Sequence, residues 1–348
     1  MSKAFSGSFV VDKKIGKGED AIPLTLQKDE YYYTGVFDGM GGSGSTLHVA
    51  DDCEYTGAYL ASRCVKDAVN EYLDKEISSE ERDDLPIDKL KKKIIENLGE
   101  KLVRHPQKNK SSLRSSLIRI FPTTIALCSC KLDKDNKKCD IQSIWAGDSR
   151  NYILNSSGLY QISIDDLTKD LDPMQNLRED SPLSNYVCLE QDFKLNCKKV
   201  QVEAPCCIIS ATDGCFGYYP SPMHFERMLF EMIKDSKNIE EWTKKIKAEI
   251  EKVTGDDFSF SIWMVGADSF CSFKKKTDKD NALSNRRKSI KTFCERESNC
   301  KNKRISLEKE KREHEIKEKE LCDELGKIEE DLNKQWEKDK ERYMGKIK

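Results

Sequence analysis

The chain has 348 residues, enough for one large domain or for a medium domain with an appendage and a buried core. Lys plus Arg (60) nearly cancels Asp plus Glu (62), which excludes a whole-chain field of the kind that draws nucleic acid or an anionic membrane. No run reaches the ~18 apolar residues a membrane span needs, and the start, MSKAFSGSFVVDKKIGKGED, has no sustained apolar core of a signal peptide. A soluble, unsecreted, cytoplasmic protein is the expectation.

In chain order, Pro23 to Gln27 and Tyr31 to Phe37 are β-branched and aromatic runs around the polar turn KDE, which predicts a hairpin ending at DGMGGSG. From His48 to Leu73, then from Ile87 to Val103, apolar residues recur at helical spacing and predict two long amphipathic helices. Strands are expected over Thr123 to Cys130, Ile141 to Ala146, Tyr152 to Leu154 and Cys207 to Ala211. Phe225 to Val253 reads as one or two helices closed by Thr254-Gly255, and Phe258 to Val265 as a last apolar strand. Strands and helices fall in blocks, so the expected class is α+β, antiparallel sheets covered by helices.

Fourteen cysteines are scattered through apolar runs such as IALCSC and PCCIIS, and no paired C-x-x-C sets accompany them. Reduced core thiols are expected rather than disulfides or structural zinc.

Beyond Val265 the apolar content collapses. The organisation expected is a domain over 1–268, a basic, disordered linker over 269–304 and a charged helix over 305–348. In that helix Leu321, Leu325, Ile328 and Leu332 follow 4-3-4 spacing for about two heptads, which leaves open a solvated single helix or a short self-associating coiled coil. Arg286-Arg287-Lys288 reads first as a solvated charge run and second as a nuclear-import or acidic-partner patch.

Acidic motifs stand where strands are expected to begin or end: Glu19-Asp20, Asp38-Gly39, Gly147-Asp148-Ser149-Arg150, Asp213-Gly214 and Asp256-Asp257. Any one Asp-Gly is foremost a turn dipeptide. Together, aspartates at the ends of several strands converge on one sheet edge, and such a cluster of like charges calls for a cation. Oxygen donors without His or Cys select Mg²⁺ or Mn²⁺, and a pair of such ions suits phosphoester hydrolysis.

YTGVFDGMGG, IWAGDSRNYIL, IISATDGCFGY and TGDDFSFSIWMV, with GEDA near the start, resemble in order and spacing the metal-dependent type 2C serine/threonine protein phosphatases, over residues from about 8 to 266. The resemblance implies a four-layer α-β-β-α sandwich and hydrolysis of phosphoserine and phosphothreonine by a metal-bridging hydroxide. It implies that Asp38 bridges two ions, with the Gly39 carbonyl on one and Asp213 and Asp256 on the other. Glu19 and Asp20 would hold metal-bound waters, and Asp148 would help bind a weaker third ion beside Asp213. Phosphorylated proteins are the implied partners. The chain departs from the family at Met40 and Ser43, where relatives carry a histidine, and at Lys14 and Lys17, which stand near the position of a phosphate-gripping arginine. A catalytically impaired relative acting as a binding scaffold is the alternative reading.

Overall fold

Tyr31 and Tyr33 face one side of their strand and Tyr32 the other, the period-2 alternation of a strand buried on both faces. The computed structural model describes residues 4–50, 53–108, 118–169, 172–177, 181–278 and 281–344. Parts of the expected linker (279–280) and of the tail (345–348) thus lie outside the described residues. The strands are β1 (Phe5–Val11), β2 (Leu24–Lys28), β3 (Tyr31–Val36), β4 (Leu47–Ala50), β5 (Cys53–Thr56), β6 (Ile125–Leu132), β7 (Lys138–Ala146), β8 (Arg150–Asn155), β9 (Gly158–Gln161), β10 (Asn196–Glu203), β11 (Cys206–Ala211) and β12 (Phe258–Val265). The helices are α1 (Gly57–Glu71), α2 (Ile87–Arg104), α3 (Asp213–Phe216), α4 (Pro222–Lys234), α5 (Ile239–Glu251), α6 (Phe270–Thr277) and α7 (Ala282–Tyr343).

Two five-stranded antiparallel sheets result, one in the order β1-β12-β11-β8-β9 and the other β10-β7-β6-β3-β2. From β6, Ile125 and Leu127 join Leu60, Val65, Leu90 and Ile94 of α1 and α2 in one core, whereas Cys128 and Cys130 meet Cys206, Ile208 and Trp263 between the sheets. On the far side α4 and α5 cover the first sheet, where Phe225 packs on Tyr152 with ring centroids 5.7 Å apart. The four-layer sandwich and α+β class expected from the sequence are the observed fold. All described cysteines are free thiols. No described helix is long and apolar enough to cross a membrane.

The inter-sheet core is partly polar. Thr34 and Ser210 hydroxyls lie 2.8 Å apart, Ser210 Oγ donates to Asn151 Oδ1 at 2.7 Å, and Asn151 Nδ2 donates to the Leu127 carbonyl at 3.0 Å. A closed network of this sort satisfies its members and fixes the register of strands from both sheets.

Two expectations are corrected. The helix expected from His48 starts at Gly57, because Leu47–Ala50 and Cys53–Thr56 pair as a small hairpin and Thr56 Oγ1 accepts the Tyr59 N–H at 3.1 Å as an N-cap. The segment read as a disordered linker is helical. Ser269 caps α6 by accepting the Ser272 N–H at 3.0 Å, and Phe270, Phe273, Leu283 and Ile290 are buried, so sparse apolar residues at helical spacing suffice to dock it. The compact units accordingly divide at Ile290, between Met1–Ile290 and Lys291–Lys348, rather than at 268 or 304. In the second unit Leu321, Leu325, Ile328 and Leu332 face solvent, each about 60% exposed.

The first turns of α7 are tied to α4. Arg286 donates from Nε and Nη2 to the buried Glu226 carboxylate at 2.9 and 2.7 Å, and Glu226 also accepts the Leu159 N–H at 3.0 Å. Glu226→Ala removes all three hydrogen bonds. Because Arg286 is over a third exposed, the expected loss is about 1–3 kcal/mol in denaturant unfolding. An unchanged midpoint would show that the tie contributes nothing.

Candidate metal centre

Strand ends carry the site. Asp38 follows β3, Asp213 follows β11, Asp148 sits between β7 and β8, and Asp256 precedes β12. The strand registers, with Ala211 opposite both Arg150 and Phe260, put these ends at the same edge of the sandwich. Glu19, Asp38, Gly39, Asp148, Asp213 and Asp256 line one cavity of about 300 Å³, together with Met40, Gly41, Gly42, Thr124, Leu183 and Asp257.

Asp38 is fixed through its backbone: its carbonyl accepts the Thr124 N–H at 2.8 Å and the Thr123 hydroxyl at 2.6 Å. The Ala21 N–H donates to the Phe37 carbonyl at 3.0 Å, which brings Asp20 alongside Asp38. Asp20, 1% exposed, lies beneath the cavity rather than in its wall and accepts from Thr212 Oγ1 at 3.0 Å. Close packing sets the Gly-rich turn. A Cβ on Gly39 would stand 2.7 Å from the carbonyl oxygens of Ala58 and Glu19, and one on Gly41 would stand 1.9 Å from Glu19 Oε2.

Burial and mutual repulsion push the carboxylates toward their protonated forms. Burial raises Asp20 to about 7. It raises Asp148 to about 8, with Asp213 adding to the shift. Asp38 is held well above the usual carboxylate range by burial and then by Asp20 and Asp213, and Asp213 is raised by burial and then by Asp256. Neighbouring Cys215 is buried and its thiol is pushed well up, so it is no nucleophile.

The donor set fits hard divalent cations. Six carboxylates and no Lys or Arg line the cavity among the described residues, so nothing in the wall offsets their charge. As they stand, no three His, Cys, Asp or Glu side chains among the described residues close into a preformed metal cage. They surround a shared space instead.

Lys14 and Lys17 do not line that space; both lie on an exposed turn in which the Lys17 N–H donates to the Lys14 carbonyl at 2.9 Å. The reason is local: Asp12 Oδ2 accepts the Gly16 N–H at 3.0 Å and the turn closes on itself. Sequence reading missed Thr56, Ser62 and Arg63 and named Asp257 only as the acidic neighbour of Asp256; all four hold Glu19. The Thr56 hydroxyl donates to Glu19 Oε1 at 2.6 Å, the Ser62 hydroxyl to the Glu19 carbonyl at 2.5 Å, and Arg63 Nη1 to the same carbonyl at 3.2 Å. Thr56 alone had a readable signal, as a capping residue before a helix. Beyond the cavity, Arg150 and Asp165 form a buried pair at 2.6 Å, each side chain 3% exposed, next to Asp148.

The chain matches no protein-family model and no curated protein in sequence. In structure it is similar to the serine/threonine phosphatase PstP/Ppp of Mycobacterium tuberculosis, at 12% identity over 76% of this chain and 99% of that one, with a TM-score of 0.51. Serine/threonine phosphatase Stp1 from Staphylococcus aureus aligns at 16% identity over 76% of this chain and 95% of that one, with a TM-score of 0.52. A C. elegans sex determining protein aligns at 15% identity over 79% of this chain and 67% of that one, with a TM-score of 0.53. At such identities the likeness is one of architecture. The chain thus has the fold of the type 2C serine/threonine protein phosphatases that its motifs resemble.

Proposed function

We propose that the chain hydrolyses phosphoserine and phosphothreonine in proteins, using Mg²⁺ or Mn²⁺. The observation that carries this reading is the cavity: six carboxylates, four of them (Asp38, Asp148, Asp213 and Asp256) beside different strand ends, with no cationic side chain among them, at one edge of a phosphatase fold. Bound as a pair, the ions would supply an activated water for direct attack on phosphorus and offset charge on the phosphoryl oxygens.

Asp38, which lines the cavity with Gly39, Asp213 and Asp256, would be shared between two ions, with the Gly39 carbonyl on one and Asp213 and Asp256 on the other. Glu19 and the buried Asp20 suit indirect roles through water, and Asp148 beside Asp213 suits a weaker third ion. Lys14 and Lys17 stand outside the cavity, on the exposed turn after β1. No His lines the cavity among the described residues, and Met40 cannot transfer a proton; a metal-bound water would serve as the acid for the leaving alkoxide. Lined by Asp38 and Asp213 but by no Arg, the cavity leaves orientation of the phosphoryl group to the ions.

The test is phosphate release from a phosphoserine peptide in Mn²⁺, comparing the chain with Asp38→Asn and Asp213→Asn. Equal rates in all three would overturn the reading, as would the absence of release by the unaltered chain, the outcome expected of a binding scaffold.

A further inference from the structure

Of the adjacent acids Asp256 and Asp257, both touch the cavity, yet their surroundings differ. Each oxygen of Asp257 already accepts a backbone N–H from a segment some 240 residues away in the chain: Oδ1 from Lys13 at 2.7 Å and Oδ2 from Glu19 at 2.8 Å. Lys13 returns the tie, donating from Nζ to the Thr254 carbonyl at 2.8 Å. The start of β12 and the turn after β1 are thereby clasped at two points. The Asp256 carboxylate instead accepts its neighbour's N–H at 2.9 Å, and the residue is exposed at the rim.

From the opposite side α1 holds the same glutamate, through Ser62 and Arg63 on its carbonyl and Thr56 on its carboxylate. Glu19 is therefore gripped at its N–H, its C=O and its side chain by four residues: Asp257, Ser62 with Arg63, and Thr56. Removing the bond to its N–H frees the Glu19 backbone on the side of β12, and the direction of the carboxylate depends on that backbone. Charge-assisted bonds to backbone N–H groups are among the stronger ones available to a carboxylate, and two of them tie Asp257 to the peptide chain through both of its oxygens.

We propose that Asp257 is a positioning residue and not a metal ligand: given the metal site proposed above, it acts on the ions only through Glu19, by fixing the Lys13–Glu19 segment against the start of β12. Groups that orient ligands from behind typically contribute about 10–100-fold in metal affinity.

Mn²⁺ titration calorimetry and residue-resolved amide exchange on the full chain test this, with Asp257→Ala, Asp257→Asn, Glu19→Gln and the double variant Glu19→Gln, Asp257→Ala. Asp257→Ala is expected to speed exchange at the Lys13 and Glu19 amides and to weaken Mn²⁺ binding about tenfold. Asp257→Asn, whose amide accepts one N–H but turns a donor toward the other, should free one of the two amides, and it carries the test if the alanine variant does not fold. The double variant should bind no more weakly than Glu19→Gln alone, because both changes act through one side chain. Additive losses, or a loss as large as that of Asp213→Asn, would make Asp257 a direct ligand and overturn the proposal. Unchanged exchange at both amides would overturn it equally. Failure of the unaltered chain to bind Mn²⁺ would sink the metal reading, and with it the proposed role of Asp257 toward the ions.

Discussion

Asp38→Asn should abolish nearly all phosphate release from a phosphoserine peptide in Mn²⁺, with a fall of about a thousandfold or more. The magnitude follows from what one carboxylate between two ions controls. Metal ions contribute several kcal/mol of transition-state charge stabilisation, and each 1.36 kcal/mol is a factor of ten in rate. Asparagine keeps the shape and one oxygen but removes the charge, so the effect isolates electrostatics from packing. It should also fold normally: the Asp38 backbone carbonyl, held by Thr123 and Thr124, is untouched, and one repelling charge beside Asp20 and Asp213 disappears. A variant that retains a rate within tenfold of the parent would remove Asp38 from the centre of the mechanism.

The second large effect concerns stability without metal. Burial lifts Asp20 to about 7 and Asp148 to about 8, whereas in the unfolded chain both return to the ordinary carboxylate range. Between these limits the folded state binds more protons than the unfolded one, so stability is full below about pH 4 as far as these groups are concerned, and falls as pH rises toward 8. Chelated protein should therefore melt at progressively lower temperature from pH 5 to pH 8. Mn²⁺ at about 100 times its dissociation constant should restore about 2.7 kcal/mol, or roughly 5–10 °C. The gain should be greater at pH 8 than at pH 5, because protons compete with the ion for the same oxygens. A melting temperature that is flat with pH in chelator, or indifferent to Mn²⁺ at pH 8, would contradict the assignment.

Much of this was legible in the residues. Strands β3, β6, β7, β8, β11 and β12 are apolar runs long enough to read directly, and Asp38, Asp148, Asp213 and Asp256 betray themselves by standing at their ends. What escaped has a common physical origin. Strands β1 and β10 are sheet edges whose polar, half-exposed residues mimic loops, and the β4–β5 hairpin hides inside a helical-looking period that Thr56 interrupts. Helix α6 and the start of α7, up to residue 304, read as disorder because mean composition says nothing of where a few apolar residues fall. The role of Asp257, though not the residue, escaped for another reason: its partners are backbone N–H groups, which carry no signature in sequence.

The tie between Arg286 and Glu226 sets how much chain the phosphatase fold requires. The motif resemblance ends near residue 266, and trimming there would strip Phe270, Phe273, Leu283 and Ile290 from the surface they cover and leave Glu226 facing solvent without its guanidinium. A fragment cut at 268 should therefore be poorly soluble, whereas one cut after Ile290 should remain soluble and unfold cooperatively. The smallest self-sufficient piece is longer than its conserved-looking motifs suggest, and the opening turns of the long helix belong to the enzyme-like body, not to the tail.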